Sequence, residues 1–310
     1  KEINLKDLKY QGDEDFFKIK NVILDKNFNL LNFSKVEVLT KTDGKLNNKF
    51  TILNNLSQNK IEIKGKVFDG KYLSEELSST NEGNFFKNIS KNIEIDLEKL
   101  LTDTDFPLNN FRLIGAIKSG KFEKISGKSE FSDGRYLDVL LKKENNSNFK
   151  NLEIYSDIAR PIINSYKFFD GLSQGSLVFE SRFDDKNSTA LLQVNDFKLI
   201  NAPAFAKLLT LADFKGLTDA LRGEGISFDT LIIKYTTDSK VMTIQEIFMI
   251  GPSISILIEG YVEKQSGLIS LRGTLVPAKT LNSMLSKIPL VGNILVGKKD
   301  GEGLFGVSFK

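Results

Sequence analysis

The chain has 310 residues, 40% of them hydrophobic and 27% charged, and 43 Lys+Arg against 40 Asp+Glu leave a formal charge of +3. That is enough apolar chain to bury a sizeable core, and the near balance gives no electrostatic reason to expect a nucleic-acid partner. There is no His, Cys or Trp, which excludes histidine-dependent triads, thiol nucleophiles, zinc fingers and disulfides.

What survives is carboxylate, lysine or hydroxyl chemistry, or no chemistry, and no cofactor or metal is expected. The longest apolar run, Ile288 through Val296, falls well short of the roughly 20 residues of a membrane span. A start at Lys1 and an end in a strand-like Leu304–Lys310 stretch suggest a piece of a longer chain.

In chain order, the first part reads as strand after strand. Val36 and Val38 alternate with Lys35 and Glu37; Ile61, Ile63, Gly65 and Val67 with Glu62, Lys64 and Lys66; Ile93, Ile95 and Leu97 with Glu94, Asp96 and Glu98. Strict period-two alternation gives a sheet with one apolar and one wet face. Turn signals at Thr42-Asp43-Gly44, Asp69-Gly70 and Asp133-Gly134 predict an antiparallel meander. A helix is expected over residues 157–169, capped by Ser156 or Asp157 and stopped at Gly171. Asn201-Ala202-Pro203 opens another, with Asn as cap and Pro in the first turn. A short helix over 217–221 follows, then strands over 226–236, 241–250, 253–263 and 267–275. A last helix is expected over 278–286 and a final strand from near Glu302. Two segments share a plan of helix, Gly-rich turn and strand: Asp170 through Leu177, and Arg222 through Phe228. They read equally as a degenerate repeat or as two ordinary returns to a sheet.

Most chemistry-like motifs have a plainer reading. Gly223-Glu224-Gly225 and Gly301-Glu302-Gly303 precede strands, whereas a phosphate loop follows a strand and opens a helix. Asp13-Glu14-Asp15 and Asp103-Thr104-Asp105 lack the central Gly and closing Glu of a calcium loop, so they read as solvated turns. Ser57-x-x-Lys60 and Ser147-x-x-Lys150 lie in Asn-rich, loop-like stretches with no supporting partner motif. The 24 Phe matter more, because many sit in alternating strands. An ordinary filled core is one reading; a sheet curled into a trough that holds acyl chains is the other. Alternation marks ten residues as candidates for an apolar lining: Leu231, Ile233, Met242, Ile244, Phe248, Ile254, Ile256, Ile258, Ile269 and Leu271.

The last third carries a family likeness. Asn201-Ala202-Pro203-Ala204-Phe205-Ala206-Lys207-Leu208-Leu209 runs into Gly216 through Phe228. Gly251-Pro252 precedes Gly260. Gly273-Thr274-Leu275-Val276-Pro277 leads through Leu281-Asn282 and Ile288-Pro289-Leu290-Val291-Gly292 to Gly301-Glu302-Gly303-Leu304-Phe305. In that order and spacing they resemble the C-terminal region of AsmA-like, YhdP-type bacterial envelope proteins, and Asp157 through Leu177 resembles the segment preceding it.

The resemblance implies a mainly β fold with a few short helices: an extended, curled antiparallel sheet forming a groove, with helices covering the sheet ends. It implies residues 1–150 as a variable β-rich groove segment and 151–310 as the AsmA-like C-terminal segment. It further implies a non-enzymatic periplasmic protein, anchored in the inner membrane by a helix outside this sequence. Its groove would take phospholipid acyl chains between the inner and outer membranes. A scaffold or assembly module without lipid cargo is the alternative. The helix from Pro277 and the 288–296 stretch are expected to pack over the sheet end or to form an apolar tip.

Overall fold

The computed structural model describes residues 2–71, 89–102, 104–165, 171–211, 221–277 and 305–309. The protein is mainly β, with two short helices among the described residues, and its strands form open antiparallel sheet that curls without closing. The chain divides into two compact units, Lys1–Tyr155 and Ser156–Lys310.

In the first unit the strands are β1 (Ile3–Gln11), β2 (Phe16–Leu24), β3 (Leu30–Asn32), β4 (Lys35–Thr42), β5 (Lys45–Asn55), β6 (Lys60–Asp69), β7 (Lys91–Leu101), β8 (Leu108–Lys118), β9 (Lys121–Glu130) and β10 (Tyr136–Lys143). Strand β11 (Lys150–Ser156) ends at the division. Pairing runs β1-β2-β4-β5-β6-β7-β8-β9-β10, with β3 short against β2. The meander expected from alternation holds except at one place. Strands β6 and β7 pair in parallel, because the 21 residues between Asp69 and Lys91 are long enough for a crossover that a tight hairpin cannot make. The Asp43-Gly44 turn is a two-residue hairpin with φ of 52° and 72°, the left-handed pair that matches strand twist.

The second unit holds α1 (Arg160–Ser165), β12 (Leu172–Phe183), β13 (Ser188–Leu199), α2 (Pro203–Leu211), β14 (Ile226–Thr237), β15 (Val241–Ile250), β16 (Ile254–Glu263), β17 (Ile269–Pro277) and β18 (Phe305–Phe309). From β12 to β18 each strand pairs antiparallel with the next.

The helices depart from expectation at their caps. The N–H groups of Ile162 and Ile163 donate to the Ala159 carbonyl, and Ala206 N–H donates to Ala202. Ala159 and Ala202 therefore occupy the cap positions, not Ser156, Asp157 or Asn201. Ser156 Oγ instead exchanges hydrogen bonds with Ile158 backbone, and Asn201 takes a left-handed φ of 52° that turns the chain into α2. Within the expected 157–169 helix, residues 166–169 lie outside the described ones. So do the 217–220 part of the short helix, the 278–286 helix, the 288–296 stretch and the Gly301-Glu302-Gly303 tract. Helix α2 covers the start of β14: the Phe205 ring meets Phe228 edge-on at 6.0 Å, and Phe228 stacks on Phe197 at 5.3 Å.

Candidate apolar groove

Directly paired residues of neighbouring strands share a face, so register turns single residues into rows across a sheet. In the first unit one row reads Ile19, Val36, Ile52, Ile63, Ile95, Leu113, Gly127, Val139, across eight strands. At the strand spacing of a sheet that row is roughly 34 Å long. Flanking rows continue the same face: Phe17, Val38, Phe50, Gly65, Leu97 and Phe111 on one side, Ile61, Ile93, Gly115, Ile125 and Leu141 on the other. Buried clusters form on it around Ile19, Val22, Phe33 and Val36, and around Ile61, Ile89 and Ile93. Between them Phe17, Val38, Ile52, Ile63, Ile95 and Leu113 are only half-buried. No helix of this unit lies among the described residues.

The opposite face is charged. Glu62 and Glu94 face each other in the parallel pair, and Lys60 and Lys64 neutralise them, with Lys60 Nζ 2.6 Å from Glu62 and 3.2 Å from Glu94. Hydrogen bonds from Lys60 and then Lys64 hold the Glu62 carboxyl below its ordinary pKa, and those to Glu62 and then Glu94 raise Lys60. Asp96–Arg112 and Lys128–Asp138 extend the pattern to β10. One sheet thus has a wet face and a dry one, and the dry one is not sealed by a second layer of described residues.

The second unit shows the same face with a gradient along its strands. The row Leu177, Val194, Leu231, Met249, Ile256, Leu275 is almost wholly covered, at 2% exposure or less throughout. The next, Phe179, Leu192, Ile233, Ile247, Ile258, Gly273, is partly covered. A third contains Ala190, Tyr235, Ile244, Gly260 and Leu271. In the fourth, Phe183, Ser188, Thr237, Met242 and Val262 are half-buried and Ile269 is 51% exposed. The face is filled at the α2 end and open at the hairpin end.

Of the ten lining candidates, Leu231, Ile233, Met242, Ile244, Ile254, Ile256, Ile258, Ile269 and Leu271 share this face. Phe248 does not. It pairs with Ile232 and Leu257 on the reverse side. The cause is a bulge at Gln245: Lys234 pairs with Glu246 but Tyr235 with Ile244, so parity changes inside β15 and the face continues through Ile247 and Met249. Alternation alone cannot register that extra residue. Leu177, Val194, Met249 and Leu275, absent from the candidates, complete the covered row; nothing short of strand register ties them to it.

The motifs with possible chemistry resolve into turns. Asp15 Oδ1 accepts from Lys41 N–H and Glu14 Oε2 from Gly44 N–H, so these carboxylates brace the β4–β5 hairpin. Ser57 Oγ donates to Asn55 while Lys60 sits in its ion pairs; Lys150 Nζ donates to Phe122 carbonyl, and Ser147 Oγ accepts from Phe149 N–H. Neither Ser–Lys pair is engaged with itself. Asp103 lies outside the described residues. Among the described residues no group of three or more acidic side chains is placed to hold a metal, and no helix is long and apolar enough to cross a membrane.

The fold and its dry face thus define an open-faced β-sheet protein whose distinguishing surface is apolar rather than polar. Comparison with protein families, curated proteins and solved structures finds no match to this chain.

Proposed function

We propose that this chain is a non-enzymatic lipid-carrying segment of the bacterial envelope, in which the apolar sheet face receives phospholipid acyl chains. The carrying observation is the run of paired apolar residues from Ile19 to Val139, in which Ile52, Ile63, Ile95, Leu113 and Val139 are only half-buried and no second layer of described residues covers them. Each methylene that leaves water for such a surface contributes about 0.8 kcal/mol, so an acyl chain laid on it is held without any polar contact. The likeness to AsmA-like, YhdP-type proteins supports a periplasmic setting and a membrane-anchored parent. In that setting the groove carries phospholipid between the inner and outer membranes.

One observation favours a packing role instead. The Leu177–Leu275 row is already filled by side chains, and a face filled throughout would make the chain a scaffold without cargo. The two readings separate at the half-buried residues. Ile258→Asp puts a charge where an acyl chain would lie, while Lys64→Asp changes the wet face of the other unit. Lipid extracted from purified protein is expected to fall several-fold in Ile258→Asp and to stay level in Lys64→Asp. Equal lipid in both, with both folded, would favour the scaffold.

A further inference from the structure

A cavity of about 610 Å³ lies against α2, lined by Asn201, Ala202, Ala206, Lys207, Thr210, Leu221 and Arg222, none of them a member of the groove rows. Its volume falls in the range of small-ligand sites. Its apolar surface is at Ala206, which is half-buried, while Ala202 and Leu221 are buried at 5% and 0% exposure. The rim is polar and carries two cations, Lys207 one turn into α2 and Arg222 just before β14.

Three features make this more than a surface hollow. First, Asn201 N–H donates to the Leu221 carbonyl at 3.0 Å, so the two chain segments that form the walls are tied together. Second, the other five arginines, at 112, 135, 160, 182 and 272, all have interaction partners; Arg222 has none among the described residues, and neither has Lys207. Third, two like charges facing one cavity repel each other, and that repulsion is relieved by an anion between them. An arginine fork is shaped for two oxygens of one phosphate or carboxylate, and a lysine adds a point charge. Thr210 Oγ1 already donates to the Ala206 carbonyl at 2.9 Å, leaving its oxygen as an acceptor, while the Asn201 amide offers a further donor.

We infer that this cavity binds a small amphiphile with an anionic, phosphate-type head, the head held by Lys207 and Arg222 and the first carbons lying along Ala206 and the aliphatic stems of the two cations. This site is separate from the groove, and the inference stands whether or not the sheet face carries lipid.

The probes are dodecyl phosphate, dodecyltrimethylammonium and inorganic phosphate, titrated calorimetrically into the full chain below the micelle concentration of each amphiphile. Dodecyl phosphate is expected to bind, and Lys207→Gln with Arg222→Gln together to weaken it at least about tenfold, the order of one charge-assisted hydrogen bond. Inorganic phosphate that competes with it shows that the head is recognised on its own. Loss of binding in Ile258→Asp with no change in the double variant assigns the amphiphile to the sheet face and overturns the inference. So does equal affinity for the trimethylammonium probe, or no binding of dodecyl phosphate to the unaltered chain. Because both substitutions sit on exposed side chains, an unchanged circular dichroism melt is the control for folding.

Discussion

The residue that organises the α2 end of the second unit is Ile200. Gly171 and Gly225 approach it from two sides: Gly171 carbonyl accepts from Ile200 N–H at 2.8 Å, and a Cβ on Gly225 would come 2.6 Å from Ile200 Cγ1. Both glycines have positive φ, 98° and 87°. The two helix–glycine–strand segments seen in the sequence therefore flank one residue as β12 and β14 enter the sheet on either side of β13. Gly171→Ala would set its Cβ 2.0 Å from the Ile200 carbonyl oxygen and is expected to cost more than about 2 kcal/mol in a urea unfolding curve. Gly44→Ala meets open space instead, with nothing within 4 Å and φ of 72°, so only the backbone penalty of about 1 kcal/mol applies. Equal costs at the two sites would show that Ile200 is not the constraint. The glycines were legible as turn formers; what they make room for depends on strands 25 or more residues apart and was not.

At the scale of elements, strand identity was legible and strand parity was not. The period-two pattern placed β14 to β17 nearly to the residue, because one wet and one dry face leave a direct trace in sequence. It failed at Gln245, where one extra residue reverses the face, and at β6–β7, where direction depends on a crossover. The gradient along β12–β17 sets an expectation for side-chain truncation. Val194→Ala or Leu231→Ala removes fully buried methyl groups and should cost about 1–5 kcal/mol, depending on the side chain and the cavity left. Ile269→Ala, at the open end, should lie within about 0.5 kcal/mol of the unaltered chain. Comparable losses at both ends would contradict an open end.

The hairpin tips make a second prediction at this scale. Asp184 accepts from the N–H groups of Lys186 and Asn187, and Asp238 from those of Lys240 and Val241. Those bonds hold both carboxyls below the ordinary value of 3.8. A carboxyl lowered by folding stabilises above its unfolded pKa, and that contribution is lost as pH falls through the folded value. The melting temperature should therefore respond to these two groups only below about pH 4. Asp184→Asn with Asp238→Asn should flatten that acid limb and leave its own acid dependence smaller. An acid limb identical in the double variant would remove these turns from the account.

At the scale of the whole molecule, composition narrowed the chemistry before any element was drawn: without His or Cys, carboxylate, lysine or hydroxyl chemistry, or no chemistry, was left. The ten lining candidates then shared one face in all but one case, because a face kept dry over many strands repeats its signal in each. The cavity beside α2 left no such signal. Its walls come from residues 201–210 and 221–222, brought together only by the return of the chain to β14. The central claim is that the dry face holds acyl chains, and the most direct measurement is a mass-spectrometric inventory of lipid extracted from the purified full chain. The account predicts phospholipid in at least stoichiometric amount, reduced several-fold in Ile258→Asp and unchanged in Lys64→Asp; protein that is folded and free of lipid, before and after incubation with phospholipid vesicles, would contradict it.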